Sequence, residues 1–321
     1  MSLKNIFRQL NILEQCKQYN VPLHHCPSFL FLIMGLIIIA AMLITYYVGL
    51  HYVTPEMLVV ILGITTIILL VVGHTIVASF ERVAQANRMK SEFVSIVSHQ
   101  LRTPLSSLKW SLDLLRGKRL GDVTQKQEEY LDIINDSNNR MIRLVNDLLN
   151  VNRIEEGRFE MKPEICKIDP LVEKAVEELK PLAHERGVAL NFSKDKDLPL
   201  VNVDPNRIGM VIENLIDNAI KYSKKDIKDK FINISISKEG DEIKFSVQDN
   251  GIGIPALLQK QVFGKFFRGD NLIKQRVEGT GLGLFIAKGI INLSGGEIDF
   301  KSKENTGSNF WFTLPIAKTN N

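Results

Sequence analysis

The sequence has few cysteines and little net charge. Its three cysteines, Cys16, Cys26 and Cys166, exclude a disulfide framework and agree with a reducing, cytoplasmic setting. A metal-binding or redox role stays open for Cys16, His24, His25 and Cys26, although their spacing matches no zinc motif. The formal net charge of +4 is too small and too dispersed to indicate a nucleic-acid partner, so none is expected.

Charged side chains are absent from two long stretches, Phe29–Leu50 and Met57–Phe80. Each exceeds the roughly 20 apolar residues that span a bilayer, so we predict a transmembrane hairpin over residues 29–80, with spans at 29–50 and 57–80. A cleaved signal peptide is the alternative for the first stretch. It is disfavoured because 28 residues precede the stretch and no small-residue cleavage pattern is evident.

Lysines and arginines flank this hairpin and are missing from the loop between its spans. They are Lys4, Arg8, Lys17, Arg82, Arg88 and Lys90. The positive-inside rule predicts that both termini are cytoplasmic, with residues 1–28 as a cytoplasmic segment. A loop over 51–56 cannot fold into a ligand-binding domain, so a stimulus would be sensed in the bilayer, by a membrane partner or from the cytoplasm. His74 is either a functional intramembrane group or reaches the membrane interface.

The motif SHQLRTPL at residues 98–105 lies on a predicted helix. Leucines recur at alternating steps of four and three, which is typical of a coiled-coil seam, at Leu101, Leu105, Leu108, Leu112 and Leu115. An advance of about 100° per residue turns His99 away from this seam, toward solvent or a docking domain. A neutral imidazole has one ring nitrogen free to attack a phosphoryl group. A lone outward histidine is usually an ordinary surface residue, so the later motifs must decide its role.

A second helix is predicted to pair with the first. The first helix should end near Gly117, and the sequence TQKQ from Thr124 is a capping-box start for a helix that ends by Gly157. Its apolar residues recur at heptad-like steps with Asn138 in one seam position, and they are Leu131, Ile134, Met141, Val145 and Leu148. One such hairpin leaves an apolar stripe open, so we predict a homodimer that forms a four-helix bundle.

Polar residues that suit a nucleotide follow about a hundred residues later. Read as a helix, the segment 213–223 carries Asn214, Asn218, Lys221 and Tyr222 on one face, which offers amide oxygens for a hard cation, an ammonium for phosphate and a ring for a base. An alternating strand then ends at Asp249, whose carboxylate can accept from an exocyclic amine.

Glycines follow that strand and open the last helix. Gly251 and Gly253 allow close backbone approach. Gly279, Gly281 and Gly283 lead into an apolar helix, and the backbone donors of such a glycine-rich helix start suit phosphate.

In this order and spacing the motifs resemble the H, N, G1, F and G2 boxes of the sensor histidine kinases of bacterial two-component systems. The F box is 262–268, VFGKFFR, and the sequence 307–315 is similar to the usual C-terminal strand. The resemblance covers about residues 81–317. It implies a multi-domain protein in the bacterial inner membrane, with a signalling helix and HisKA-type phosphotransfer domain over 81–160 and an α+β sandwich ATP-binding domain of the GHKL type over 161–321.

The resemblance also implies roles for single residues. Asn218 would hold Mg²⁺ with support from Asn214, Lys221 would contact the phosphates of ATP, Tyr222 would pack near the nucleotide and Asp249 would bind the adenine amine. The remaining nucleotide-site residues that it implies are Gly251, Gly253, Phe266, Arg268, Gly279, Gly281 and Gly283. Residues 271–278 would form a lid, in which Lys274 and Arg276 either reach phosphates or are solvated loop charges.

The implied reaction is transfer of the γ-phosphoryl group of ATP to His99 and then to an aspartate in the receiver domain of a response regulator. Thr103 matches a family position that orients a water for dephosphorylation of that regulator. Gln100 departs from the usual acidic residue and cannot act as a base, so a slower kinase is expected. Two alternatives stay open. One is a membrane-tethered nucleotide-binding scaffold or pseudokinase, and the other is a chaperone-like or topoisomerase-like ATPase, which would not explain the His99 motif.

Overall fold

The computed structural model describes residues 27–117, 121, 123–224, 227–267 and 279–317. Several predictions of the sequence lie outside these residues. They concern the cytoplasmic segment with Cys16, His24, His25 and Cys26, the F-box residue Arg268, and the lid with Lys274 and Arg276. The chain divides after Val97 into two compact units.

The first unit is built from two long apolar helices, α1 (Pro27–Tyr52) and the N-terminal part of α2 (Pro55–Arg116). Two stretches, Leu32–Tyr52 and Pro55–Phe80, are long and apolar enough to cross a membrane, and only 6% and 11% of them is buried. Such exposure of apolar side chains fits a lipid environment, because the core helix of a water-soluble protein would bury them. Both stretches overlap the spans predicted at 29–50 and 57–80.

The connection between these two helices is shorter than predicted. The sequence indicated a loop over 51–56, but only Val53 and Thr54 lie between α1 and α2. The helices can approach closely at the turn because Gly49 has no side chain, and a β-carbon there would lie 2.2 Å from Cδ1 of Leu58. Small residues at helix contacts are a common means of close packing in membranes.

The remainder of α2 forms a hairpin with α3 (Gln125–Glu155). Helix α2 ends at Arg116, next to the predicted Gly117, and it continues through Pro104. The predicted capping box is present at the start of α3, where the Thr124 side chain accepts from the backbone N–H of Gln127, and the Gln127 side chain accepts from the N–H of Thr124 at 2.8 Å. These reciprocal bonds satisfy donors that a helix start otherwise leaves unpaired.

The seam of this hairpin is only partly covered. Leu112 and Val145 are buried, and the side chain of Asn138 is fully buried, with its Nδ2 donating to the backbone carbonyl of Leu105 at 3.0 Å. Other apolar residues on the two helices stay exposed, including Leu101, Leu108, Leu115, Ile134 and Met141. A single hairpin thus leaves apolar surface open, as the heptad pattern predicted.

The C-terminal part is an α+β domain with a five-stranded sheet. Its strands are β2 (Val188–Lys194), β4 (Lys230–Glu239), β5 (Glu242–Asp249), β6 (Ile298–Lys303) and β7 (Gly307–Pro315), in the order β2-β4-β5-β7-β6. The pair β2–β4 is parallel and the others are antiparallel. Two short strands, β1 (Glu164–Cys166) and β3 (Val201–Val203), form a separate antiparallel pair.

Three α-helices of the described residues belong to this domain, α4 (Asp169–Glu185), α5 (Pro205–Lys221) and α6 (Gly283–Leu293), together with a 3-10 helix over Ala256–Gln261. Alternating strand residues such as Ile232, Ile234 and Phe245 are fully buried, as are Ile212 and Ile216 on α5, and they belong to one hydrophobic core. Burial of one face of the sheet against helices is the sandwich arrangement expected from the sequence. The predicted fold class, with apolar N-terminal helices, a helical hairpin and an α+β domain, is confirmed.

Candidate functional site

Helix α5 carries the polar face of a large cavity. Asp204 caps the helix, since its Oδ1 accepts from the backbone N–H groups of Asn206 and Arg207 at 3.1 Å. Its apolar stripe is buried in the core, so the opposite stripe faces the cavity of about 1380 Å³. The residues of α5 and its C-terminus that line the cavity include Asn214, Asp217, Asn218, Lys221 and Tyr222.

The two asparagines lie one helical turn apart and contact each other. Asn218 Nδ2 donates to Asn214 Oδ1 at 3.5 Å, while Nδ2 of Asn214 is buried without a partner among the described residues. An unpaired buried amide is costly in a folded protein, which marks this position as one that a ligand can complete. The structure therefore brings the two predicted amide groups together.

Lys221 and Tyr222 differ from the simple helical picture. Lys221 forms an ion pair with Asp217, one turn earlier on α5, rather than pointing freely into the cavity. Tyr222 is not part of the helix but its C-terminal cap, and its backbone N–H donates to the carbonyl of Asn218. Both still line the cavity.

Asp249 stands at the end of β5, as predicted, with its side chain in the cavity. Its Oδ1 accepts from the backbone N–H of Gly251 at 2.8 Å and of Ser308 at 3.2 Å. Burial raises the pKa of Asp249 to about 6, and the two backbone hydrogen bonds oppose that rise. The carboxyl is thus held rigidly in a partly desolvated position from which it can bind a polar ligand.

The glycines of the G1 box serve close contacts within the chain. A β-carbon on Gly251 would lie 2.4 Å from the carbonyl oxygen of Tyr222, and one on Gly253 would lie 2.0 Å from that of Lys303. Gly253 also has φ +65°, in the left-handed region. The predicted close approach is present, but the neighbouring backbone that approaches belongs to the protein itself.

The G2 segment lines the same cavity and packs against α5 at the start of α6. A β-carbon on Gly283 would lie 2.3 Å from Oδ1 of Asn214, and Gly281, with φ +70°, approaches the backbone of Phe266. Gly279, Gly281 and Gly283 all line the cavity, whereas Phe266 is exposed and does not. The predicted nucleotide residues on α5, β5 and the G2 segment are therefore brought together with Gly253, whereas Gly251 and Phe266 are not among the residues that line the cavity.

The predicted phosphoacceptor region lies elsewhere. His99, Gln100 and Thr103 are exposed on α2 and do not line the cavity. Arg102, on the same turn, donates to Oδ1 of Asn146 on α3 at 2.9 Å, which links the two helices beside His99. The structure leaves His99 accessible, as the helical pattern predicted.

Several residues of the site were not predicted. Asp147 on α3 accepts a hydrogen bond from Thr280 of the G2 segment at 2.9 Å, and both line the cavity. Ser308 holds Asp249, and Asn250 accepts from the backbone N–H of Phe231 at 3.1 Å, which ties the G1 loop to β4. No local sequence pattern connects residues that lie so far apart in the chain. Thr280 alone could have been predicted as a site residue, because it lies inside the GTGLGL motif.

The polar groups of the cavity fit a magnesium ion that arrives with a nucleotide. No cluster of three or more His, Cys, Asp or Glu side chains that could hold a metal by itself occurs in the described part of the chain. Mg²⁺ prefers oxygen ligands, keeps several waters and is commonly shared with phosphates. The Asn218 amide oxygen is a suitable single protein ligand, beside the unpaired amide of Asn214.

Comparisons with known proteins agree with both halves of this arrangement. Residues 89–157 match the model of the His Kinase A (phospho-acceptor) domain, and residues 203–318 match that of the histidine kinase-, DNA gyrase B- and HSP90-like ATPase. These ranges contain His99 on one side and the cavity residues of α5, β5 and the G2 segment on the other.

Curated relatives align with most of the chain. The chain is 33% identical over 238 residues to the signal transduction histidine-protein kinase BarA of Escherichia coli K12, and 31% identical over 229 residues to the alginate biosynthesis sensor protein KinB of Pseudomonas aeruginosa. These matches cover 74% and 71% of this chain but only 26% and 37% of the relatives, so the chain spans well under half of their length.

A solved structure has the same fold over much of the chain. Full-length ShkA in complex with AMPPNP aligns with a TM-score of 0.60 at 26% identity, over 71% of this chain and 46% of that one. Together with the exposed histidine on a helical hairpin and the cavity of the α+β domain, these likenesses show that the chain belongs to the sensor histidine kinase family.

Proposed function

We propose that this protein is an ATP-dependent histidine kinase that phosphorylates its own His99. The observation that carries the proposal is the combination, in one chain, of an exposed His99 on a helical hairpin with a cavity lined by Asn214, Asn218, Lys221 and Asp249. Membership of the sensor histidine kinase family supports it.

Each cavity residue has a task that suits its chemistry. The Asp249 carboxylate accepts a hydrogen bond from the exocyclic amine of adenine, and Asn218 supplies an oxygen to a magnesium ion carried by the phosphates. Lys221 exchanges its ion pair with Asp217 for contact with the phosphates. The backbone N–H groups at the start of α6 face the same charge. Bound Mg²⁺ neutralises part of the charge that develops on the phosphates.

The chemical step uses the lone pair of a neutral His99. The ring nitrogen that carries this lone pair attacks the γ-phosphorus. The bond from phosphorus to the β,γ-bridging oxygen breaks, and ADP leaves with the electron pair of that bond. The proton on the other ring nitrogen makes the product a cation until it passes to solvent. Gln100 can orient the imidazole but has no basic group to take this proton, so the step is slow.

The phosphoryl group then moves to an aspartate in a receiver domain. Phosphohistidine can donate its phosphoryl group to an acceptor, and the exposure of His99 gives a receiver domain access to it. Thr103 lies one turn beyond His99 and would orient a water that hydrolyses the phosphorylated receiver. The rate of receiver dephosphorylation with Thr103→Ala tests this second activity, and an unchanged rate would contradict it.

Dimerisation and membrane insertion complete the proposal. Pairing of two copies would cover the exposed Leu101, Leu108, Ile134 and Met141 in a four-helix bundle. The apolar stretches of α1 and α2 support insertion in membrane lipid as a hairpin, and the lysines and arginines that flank it would keep both termini in the cytoplasm. The bilayer, a membrane partner or the cytoplasmic side would then supply the stimulus.

Labelling of the full chain in lipid nanodiscs with γ-labelled ATP and Mg²⁺ tests the central reaction. We expect an acid-labile, base-stable label that is lost in His99→Ala, while nucleotide binding by that variant is unchanged. Label that persists in His99→Ala would exclude His99 as the acceptor. Nucleotide binding without any label in the wild type would favour a nucleotide-binding scaffold, the reading that Gln100 supports.

A further inference from the structure

Asp147 connects the helical hairpin to the G2 segment. Thr280 Oγ1 donates to Asp147 Oδ2 at 2.9 Å, and the same hydroxyl accepts from the backbone N–H of Leu282 at 3.2 Å. A carboxylate that accepts such a bond holds it more strongly than a neutral acceptor would. Asp147 on α3 therefore ties down the stretch of backbone that leads into α6.

The surroundings of Asp147 are those expected for a bound phosphate. Burial raises the pKa of this carboxyl, and the Thr280 hydrogen bond and the charges of Arg143 and Lys221 oppose the rise. Asp147 lines the same cavity as Asn218, Lys221 and Gly281. A negative group of the protein thus lies among donors and cations on the side of the cavity assigned to the nucleotide phosphates.

A second contact holds the same two parts together at a distance from these groups. Lys265 forms an ion pair with Glu155 at the end of α3, and its ammonium lies 5.4 Å from the ring centroid of Phe285. Gly289 on α6 lies against Ile154, since a β-carbon there would come within 2.8 Å of Ile154 Cδ1. The docked arrangement of α3 on the ATP-binding domain therefore has two anchors, one of which avoids the proposed phosphate side.

We propose that Asp147 is an internal competitor of the nucleotide phosphates, so that docking of α3 and binding of ATP oppose each other. The proposal rests on the ATP-binding role proposed above. Two negative groups cannot share one set of donors and cations without strong repulsion in a partly desolvated site. ATP that binds must displace Asp147 from Thr280, which weakens the docked contact and frees the domain to move.

This competition has a consequence for His99. In the docked arrangement His99 does not line the cavity, so transfer of a phosphoryl group to the His99 of the same chain requires the ATP-binding domain to leave its position on α3. A contact that ATP itself loosens would keep the nucleotide-free kinase docked. Occupancy of the site by ATP would shift the population toward the form in which transfer occurs.

Direct measurement of nucleotide affinity tests the proposal. The protein in nanodiscs is titrated with the non-hydrolysable analogue AMPPNP and Mg²⁺ by calorimetry, so that no phosphoryl transfer is needed for a signal. Asp147→Asn keeps an acceptor for Thr280 but removes the charge, and we expect its dissociation constant to fall about tenfold. Asp136→Asn is the matched control, because Asp136 is exposed on the same helix and does not line the cavity.

A second variant guards against a local effect at position 147. Glu155→Gln weakens the remote anchor without touching the phosphate side, and it should also tighten AMPPNP binding, by about threefold, if docking and binding compete. Equal or weaker binding by Asp147→Asn, with Asp136→Asn like the wild type, would overturn the proposal. So would unchanged affinity in Glu155→Gln. Absence of AMPPNP binding in every form, wild type included, would instead contradict the proposed function.

Discussion

Gly283 lies directly against Asn214, so closely that a β-carbon at position 283 would come within 2.3 Å of Asn214 Oδ1 and 3.0 Å of its Cγ. The start of α6 and the middle of α5 therefore meet without room for a side chain. The absence of a side chain at position 283 lets the amide of Asn214 stay beside Asn218, where the proposed magnesium site lies.

Gly283→Ala should weaken nucleotide binding, because the new methyl group must displace the Asn214 amide or push α6 away from α5. We expect an increase of about tenfold or more in the dissociation constant for AMPPNP, measured by calorimetry. Gly209→Ala is the control. Gly209 also lies on α5, and a β-carbon there meets nothing within 4 Å, so the affinity should not change. The higher helix propensity of alanine should raise the stability of this variant slightly. Equal affinities for both variants would contradict the close-packing explanation.

The raised pKa of Asp249 leads us to expect that nucleotide binding depends on pH. This pKa is raised to about 6, and only the ionised carboxylate has Oδ2 fully available as an acceptor for the adenine amine. The affinity for AMPPNP should therefore fall as the pH is lowered from about 7.5 to about 5. Asp249→Asn should weaken this dependence, whereas Asp241→Asn, at the exposed β4–β5 turn, should keep it at the wild-type level.

The same carboxyl affects stability in the opposite direction. The folded state binds the proton more tightly than the unfolded state, whose carboxyl has the ordinary pKa of 3.8. Burial of the charged form costs stability above about pH 6, and that cost is relieved as the pH falls through about 6 toward 4. Thermal unfolding of the wild type relative to Asp249→Asn should show this relief, and a difference between them that does not change with pH would contradict it.

Much of this architecture was predictable because local periodicity carries it. The heptad leucines around His99, the Thr124 capping box and the alternation in β4 each need only neighbours within a few turns or residues. The loop between α1 and α2 was predicted over 51–56, but only Val53 and Thr54 connect the two helices. The sequence shows where the long apolar stretches end but not how far each helix continues beyond them. Helix ends also depend on tertiary contacts that the sequence does not show, such as the packing of Gly49 against Leu58 beside this turn.

The contacts between distant parts were beyond the sequence. Asp147 and Thr280 are separated by 133 positions, and neither stands out from the polar residues around it. The ion pair of Lys221 with Asp217 has the i and i+4 spacing that favours such pairs on a helix, so the sequence could have predicted it. The family motif instead favoured a role for Lys221 in phosphate binding. The G1 glycines carried a signal of close approach, yet only the fold reveals that the Lys303 carbonyl is what approaches Gly253.

Gln100→Glu should accelerate autophosphorylation of His99. A carboxylate beside the imidazole can take the proton that remains on the far ring nitrogen, which the amide cannot do, and general-base assistance is worth about 10²-fold at its lower end. Single-turnover labelling at saturating ATP measures the rate of this step. Gln125→Glu makes the same change of charge at an exposed position on α3 and should leave the rate unchanged. No gain in Gln100→Glu would show that the proton transfer does not limit the reaction.

Replacement of Asn138 by an apolar residue should give a variant that is more stable than the wild type. The Asn138 side chain is fully buried, Nδ2 donates to the Leu105 carbonyl at 3.0 Å, and Oδ1 has no partner among the described residues. A buried, half-satisfied amide stabilises less than an apolar side chain of similar size. Asn138→Leu should therefore raise the free energy of unfolding by about 1 kcal/mol and the melting temperature by ~2–4 °C.

A polar residue in a helical seam also restricts which registers the helices can adopt, at a cost in stability. Asn138→Leu should therefore gain stability while losing uniqueness of pairing, which light scattering would detect as a mixture of oligomers. Asn138→Asp provides the opposite control, because a buried carboxylate without a partner should lower the melting temperature. If Asn138→Leu unfolds at a lower temperature than the wild type, the bond to Leu105 outweighs the unpaired oxygen, and Asn138 is a net stabilising link between α2 and α3.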